Sequence, residues 1–257
     1  MTYGICNLTA IAMRKEARHT SEMVSQLLYD ETYTVLDKTK EWVLIQTEDT
    51  HLSIHQDHES GNEESGAYPY QGWIQAKQFC EISEEEFNAL KGKTPYLINK
   101  AVVNHNGLLL TMGTPLYEPH PDAIEMPKEF HPEMMVDYAK LLLVAPYLWG
   151  GRTAMGIDCS GLVQICARMA GLLLPRDASQ QVKEGELVYF LQETQIGDLA
   201  FFGDEDGVIT HVGIVMGDEQ IIHCSGQVRI DYLDQTGIFN KERDEHTHRL
   251  QAVKRLG

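Results

Sequence analysis

The fold turns on Gly156-Ile157-Asp158-Cys159-Ser160-Gly161-Leu162-Val163, preceded by Tyr147-Leu148-Trp149-Gly150-Gly151. The two glycine clusters let the backbone turn sharply, and Asp158 stands where it can cap a helix whose first turn carries Cys159. N–H groups at the positive end of such a helix favour a thiolate over a thiol. A free cysteine is more usually a small buried residue, so Cys159 alone reads equally as packing or as a nucleophile. Beyond it, Leu162, Val163, Ile165, Cys166 and Met169 recur at helical spacing, and Gly171 ends the helix.

Upstream, after Pro132, the residues Met134, Met135, Tyr138, Leu141, Leu142 and Ala145 predict a second core-facing helix that stops at Pro146. Downstream, 198–202, 211–216, 220–224 and 250–256 read as strands joined by Gly/Asp turns. Helices followed by antiparallel strands make this part α+β rather than alternating βαβ. Two of those strands carry a histidine, His211 in Thr210-His211-Val212-Gly213 and His223 in Ile222-His223-Cys224. A turn at Gly217-Asp218-Glu219 puts them on neighbouring strands. Either histidine alone reads more readily as structural. Together, after a glycine-flanked Asp-Cys-Ser, they read as a base and its orienting partner for a Cys159 nucleophile.

The amino-terminal third has a different texture. Tyr33-Thr34-Val35-Leu36 and Trp42-Val43-Leu44-Ile45 are β-branched and aromatic, and the pattern from Ile5 to about Phe79 predicts a small all-β barrel or sheet. An acidic stretch over about 48–66 interrupts it and reads as an inserted loop. Its His51, His55 and His58 would share one face of a helix, but Gly61, Gly66 and the polarity argue against a helix and hence against a metal site there. Ser83 caps a short helix over 84–90. Five of the nine prolines fall between Pro95 and Pro127, which places a linker over 96–130 between a domain over 1–95 and a second over 131–257.

The chain has 257 residues, 43% hydrophobic and 23% charged, enough apolar material for a sizeable core. With 21 Lys and Arg against 38 Asp and Glu, the net charge is −17. A surface this acidic argues against nucleic acid and anionic lipid as partners. No apolar run approaches the ~20 residues of a transmembrane segment. Five cysteines, odd in number and outside CxxC pairs, argue against a disulfide framework or structural zinc and point to a reducing compartment. The visible start of the chain carries no secretion signal, so a cytoplasmic location is the expectation, with a periplasmic or secreted one if a leader has been removed. Trp149 reads as packing under the turn, and Arg152, Glu205 and Asp206 read as solvated.

The ordered motifs Tyr147-Leu148-Trp149-Gly150-Gly151, Asp158-Cys159-Ser160-Gly161-Leu162-Val163, Gly197-Asp198-Leu199-Ala200-Phe201-Phe202 and His211-Val212-Gly213-Ile214-Val215 resemble those of the NlpC/p60-type bacterial cell-wall cysteine peptidases, over roughly residues 130–250. The resemblance implies a papain-like α+β fold without a cofactor or metal. It makes Cys159 the nucleophile, His211 the base and His223 the orienting residue, with Tyr147, Asp158 and Ser160 at the oxyanion or positioning the substrate. The amino-terminal part, with its turn at Asp30-Glu31 and the Tyr70-Gln71-Gly72-Trp73-Ile74 ending, looks like a bacterial SH3-like barrel. Residues 95–117 are too few for a complete second barrel. In the branch that trims free murein peptides, a barrel glutamate and tyrosine close one end of the cleft. Glu22 and Tyr70 match those positions, joined by Asp177. The expected substrate is then the γ-D-glutamyl-L-diamino acid bond of a murein stem peptide with a free L-Ala amine, in peptidoglycan recycling. The rivals are an amidase or acyltransferase on the same plan and a non-catalytic murein-binding module.

Overall fold

The computed structural model describes residues 1–47 and 69–257. The acidic insertion and His51, His55 and His58 lie outside the described residues. The amino-terminal unit is an antiparallel seven-stranded sheet of SH3-like type, built from β1 (Thr2–Ile5), β2 (Ala10–Arg14), β3 (Met23–Leu28), β4 (Thr32–Lys38), β5 (Trp42–Thr47), β6 (Gln71–Gln75) and β7 (Glu81–Ile82). The strand order is β3-β2-β6-β5-β4-β1-β7. Period-two alternation sends Ile11 and Met13 of β2, Val43 and Ile45 of β5 and Ile74 of β6 into one core with Leu27 and Tyr33. A helix, α1 (Glu84–Lys91), follows. Its start is fixed by a capping box in which Ser83 accepts from the Glu86 N–H and Glu86 reaches back to Ser83.

The stretch expected as a linker carries five short strands: β8 (Tyr96–Ile98), β9 (Val102–His105), β10 (Leu108–Thr111), β11 (Pro115–Leu116) and β12 (Ala123–Glu125). They form a hairpin and a three-stranded sheet, with Ile98, Leu110 and Leu116 as their own small core. The prolines bound these strands instead of preventing them.

The carboxy-terminal unit begins with α2 (Pro132–Leu141), whose axis ends one turn earlier than expected as the chain passes through turns to Val144 at φ 64°. A two-residue hairpin, β13 (Arg152–Thr153) and β14 (Gly156–Ile157), leads into α3 (Cys159–Met169). All residues of α3 are buried. It packs between α2 and a sheet formed, after α4 (Ala178–Gln181), by β15 (Glu186–Val188), β16 (Leu199–Gly203), β17 (Ile209–Gly217), β18 (Gln220–Ser225), β19 (Gln227–Leu233), β20 (Gly237–Asn240) and β21 (Glu245–Arg255). A β20–β21 ladder closes the last six strands into a barrel. Among the described residues no helix is long and apolar enough to cross a membrane.

Arg152 is not solvated as expected. It is 3% exposed and donates from Nη1 and Nη2 to Glu31 at 2.9 and 3.0 Å, while Arg168 of α3 donates to the same carboxylate at 2.7 Å. Burial opposes the charge on Glu31, but the two guanidiniums hold its carboxyl down at about 2. This buried triad ties the amino-terminal sheet to the hairpin and to α3.

Candidate active site

Asp158 caps α3, accepting from the Gly161 N–H at 2.7 Å and, with its other oxygen, from the Gly150 N–H at 2.8 Å. Arg176 clamps the same carboxylate at 3.0 and 2.6 Å and donates to the Ser160 hydroxyl at 2.8 Å. Asp158 and Ser160 thus hold the start of α3. The close fit needs two glycines. A Cβ on Gly150, at φ +76°, would lie 2.4 Å from the Met23 carbonyl, and one on Gly161 would lie 2.3 Å from that of Gly151. Cys159 is presented at the first turn of α3, 7% exposed.

Its electrostatics differ from the sequence expectation of a lowered thiol. Burial, and then the neighbouring Asp158 charge, push Cys159 up to about 11, against N–H groups of Val212 and Ser160 and the charge of Arg176. The helix end does favour the thiolate, but desolvation outweighs it. Burial thus favours the neutral thiol at Cys159.

His211 on β17 and His223 on β18 lie side by side because Gly213 pairs with His223 across the ladder. His211 Nε2 and His223 Nδ1 are 2.9 Å apart. The Val212 N–H that faces the Cys159 sulfur follows His211 directly, so the strand that carries His211 also touches the thiol. Burial first, then His248 and His223, hold His211 well below the usual imidazole range. His248 of β21, stacked on His211 at 4.2 Å between centroids, is itself pushed down to about 4 by burial. Burial disfavours the charged forms of Cys159 and His211 alike, and His211 has a second imidazole on its Nε2.

Two neighbours of this pair escaped the sequence reading. Asp231 of β19 lies 3.0 Å from His223 Nε2, and Arg229 donates to its two oxygens at 2.7 and 3.0 Å. The only sequence signal was an Asp in the middle of a strand. His248 had none beyond its residue type.

Cys159 opens onto a cleft of about 680 Å³ between the two larger units, lined by Tyr147, Trp149, Ser160 and Arg176 on one side and by Lys15, Glu22, Val24 and Tyr70 on the other. Burial raises the Tyr147 hydroxyl, with the Cys159 sulfur adding to the shift, so it stays protonated and able to donate. Tyr70 donates to Asp177 at 3.2 Å, and the Trp149 indole donates to Glu22 at 2.9 Å. Trp149 is 59% exposed in the cleft, which corrects its reading as packing beneath the turn. Lys15 stands 3.6 Å from Glu22. Burial raises the Asp177 carboxyl, Arg176 opposes it, and Glu22 adds to the rise. Glu22, Tyr70 and Asp177 therefore share the cleft with the thiol, and two of them are carboxylates facing one space. Among the described residues no group of three or more His, Cys, Asp or Glu is arranged to hold a metal ion. Cys224 instead donates to the Ile157 carbonyl at 3.2 Å.

Residues 144–246 match the NlpC/P60 family, and residues 13–51 match the bacterial dipeptidyl-peptidase SH3 domain. A γ-D-glutamyl-L-lysine dipeptidyl-peptidase of Bacillus cereus is 25% identical over 239 residues, 80% of this chain and 68% of that protein. One of Bacillus subtilis with the same name is 39% identical over 115 residues, covering 43% of this chain and 38% of that protein. The crystal structure of an NlpC/P60 family protein from Bacillus cereus superposes with a TM-score of 0.75 at 20% identity, over 98% of this chain and 99% of that one, which shows the shared fold.

Proposed function

We propose that this chain, an NlpC/P60 cysteine peptidase with an amino-terminal bacterial SH3 domain, hydrolyses the γ-D-glutamyl-L-diamino acid bond of murein stem peptides that begin with a free L-Ala. One observation carries the reading. The thiol at the start of α3 shares its cleft with a tyrosine and two carboxylates, one of them brought in by the amino-terminal sheet.

In the mechanism, His211 takes the thiol proton as Cys159 Sγ attacks the γ-carbonyl carbon of D-Glu. The oxyanion that forms meets the Cys159 N–H at the helix start and the Tyr147 hydroxyl. His211 then returns its proton to the leaving amine, and the C–N bond breaks. A water, deprotonated by the same ring, cleaves the thioester and restores the thiol. His223 holds His211 in place throughout.

Glu22 and Asp177 form a site for one positive charge, which the ammonium of a free L-Ala supplies. An acetylated or muramyl-linked L-Ala lacks that charge and meets the wall at Tyr70. It would leave Glu22 and Asp177 with Lys15, Trp149 and Tyr70 as partners and no ammonium between them, a loss of roughly 2 kcal/mol or more. The relatives' names support a glutamyl-lysine bond as one form of the substrate. Five free cysteines support action in a reducing compartment, on peptides already released from the wall.

The test compares kcat/KM on L-Ala-γ-D-Glu-L-Lys with that on its N-acetyl form. The free peptide should be preferred by about a hundredfold or more, and Glu22→Gln and Asp177→Asn should each shrink the ratio. Equal rates on both peptides in the unmodified enzyme would refute the amine reading, and hydrolysis of neither would refute the substrate class.

A further inference from the structure

The histidine pair leaves a question of tautomer. Each neutral imidazole has one N–H and one lone pair, and general-base action on the thiol needs the lone pair of His211 on Nδ1, because Nε2 is 2.9 Å from His223. Nothing in the pair itself decides which way its proton points. A group at the far end can decide it.

We propose that Asp231 is a positioning residue that fixes the proton order of the whole chain from its far end. An ionised carboxylate only accepts, so His223 Nε2 must donate across the 3.0 Å contact. With both rings neutral, His223 Nδ1 is then an acceptor, His211 Nε2 donates to it, and His211 Nδ1 is left with its lone pair toward the thiol. Arg229, with Nε on one oxygen and Nη2 on the other, locks the carboxylate plane in register with His223. When His211 takes the thiol proton, the buried negative charge also stabilises the imidazolium through His223.

The groups around Asp231 support its ionisation. Burial works against the charge, but the hydrogen bonds from His223 and Arg229 hold the carboxyl below the usual range. His248, on β21, feels the Asp231 charge, but burial holds it down at about 4. Glu242 accepts from the same Arg229 Nη2, at 3.3 Å. No other described cation or anion is hydrogen-bonded or ion-paired with the carboxylate.

This rests on Cys159 as nucleophile and His211 as base but not on the identity of the peptide, so two of its three readouts need no substrate. Asp231→Asn keeps an acceptor toward His223 and loses the charge; Asp231→Leu loses both. With a turned-over peptide, kcat should fall about tenfold in the first and about a hundredfold in the second, with KM within about twofold of the parent. Iodoacetamide alkylation of Cys159 near neutral pH should slow in the same order. In long-range proton–nitrogen spectra of the labelled full chain, His223 should carry its proton on Nε2 in the parent and in Asp231→Asn, and a mixture of tautomers should appear in Asp231→Leu. Unchanged alkylation in Asp231→Asn, or an unchanged His223 tautomer in a folded Asp231→Leu, would overturn the proposal. If Asp231→Leu does not fold, the alkylation rate of Asp231→Asn decides. A failed substrate reading would leave the spectra and the alkylation order intact.

Discussion

At the scale of the residue, burial favours the neutral thiol at Cys159. Burial pushes Cys159 up to about 11 and His211 down, so it disfavours the charged form of each and weighs against a pre-formed thiolate–imidazolium pair. In the proposed mechanism the thiolate forms as the proton moves to His211, which couples the reactivity of the sulfur to the base and not to the helix end alone. The sign is plain: a raised thiol is protonated below its pKa and gains reactivity as pH climbs toward it. Alkylation of Cys159 by iodoacetamide, followed by mass spectrometry of the labelled peptide, should keep rising beyond about pH 9, where an activated cysteine with a thiol near neutrality has already levelled off. A plateau below about pH 7 would mean a resting ion pair and would remove the argument.

At the scale of the element, the start of α3 was legible because its signals are local. Asp158, the two glycine pairs and the apolar face of the helix lie within a short run of sequence, and cap and turn chemistry act over such distances. Gly161 tests how tight that element is. Its Cβ would press on the Gly151 carbonyl, part of the backbone turn that holds the cleft, and neither side is a flexible side-chain end. Gly161→Ala should destabilise the fold by about 1 to 3 kcal/mol in a denaturant melt and lower kcat as the thiol shifts. A stable variant of full activity would mean that the turn yields easily. What the sequence hid is equally physical. Asp231 finds His223 across a ladder, and a lone Asp in a strand reads as a solvent-facing residue until the barrel closes around it. Strands β8 to β12, of two to four residues each, are too short for alternation to show among their prolines.

At the scale of the whole molecule, the site depends on two units holding one orientation, since Glu22 and Tyr70 come from one and Cys159 from the other. The sequence read Arg152 as solvated because its partner lies 121 positions away, beyond any local pattern. That partner, Glu31, accepts from Arg152 and Arg168 together and from the Leu28 N–H at 2.8 Å, while Arg168 also donates to the Gly113 carbonyl at 3.1 Å. One carboxylate thus joins the amino-terminal sheet, the β8–β12 region, the β13 hairpin and α3. Its folded pKa lies below the unfolded one, so the stability it contributes is complete above the ordinary glutamate range, near pH 4.3, and is lost as pH falls toward about 2. Glu31→Gln would take from two buried guanidiniums the negative charge they share, at a cost of about 3 to 5 kcal/mol. Denaturant melts from pH 7 to pH 2 should show the parent losing stability below about pH 4. The variant should start lower and be flatter across that window. Because the clamp ties together the two units that line the cleft, preference for the free peptide over its N-acetyl form should shrink in Glu31→Gln more than the rate of Cys159 alkylation does. Parallel acid melts in parent and variant would show that Glu31 is not the carboxylate that binds the two units together.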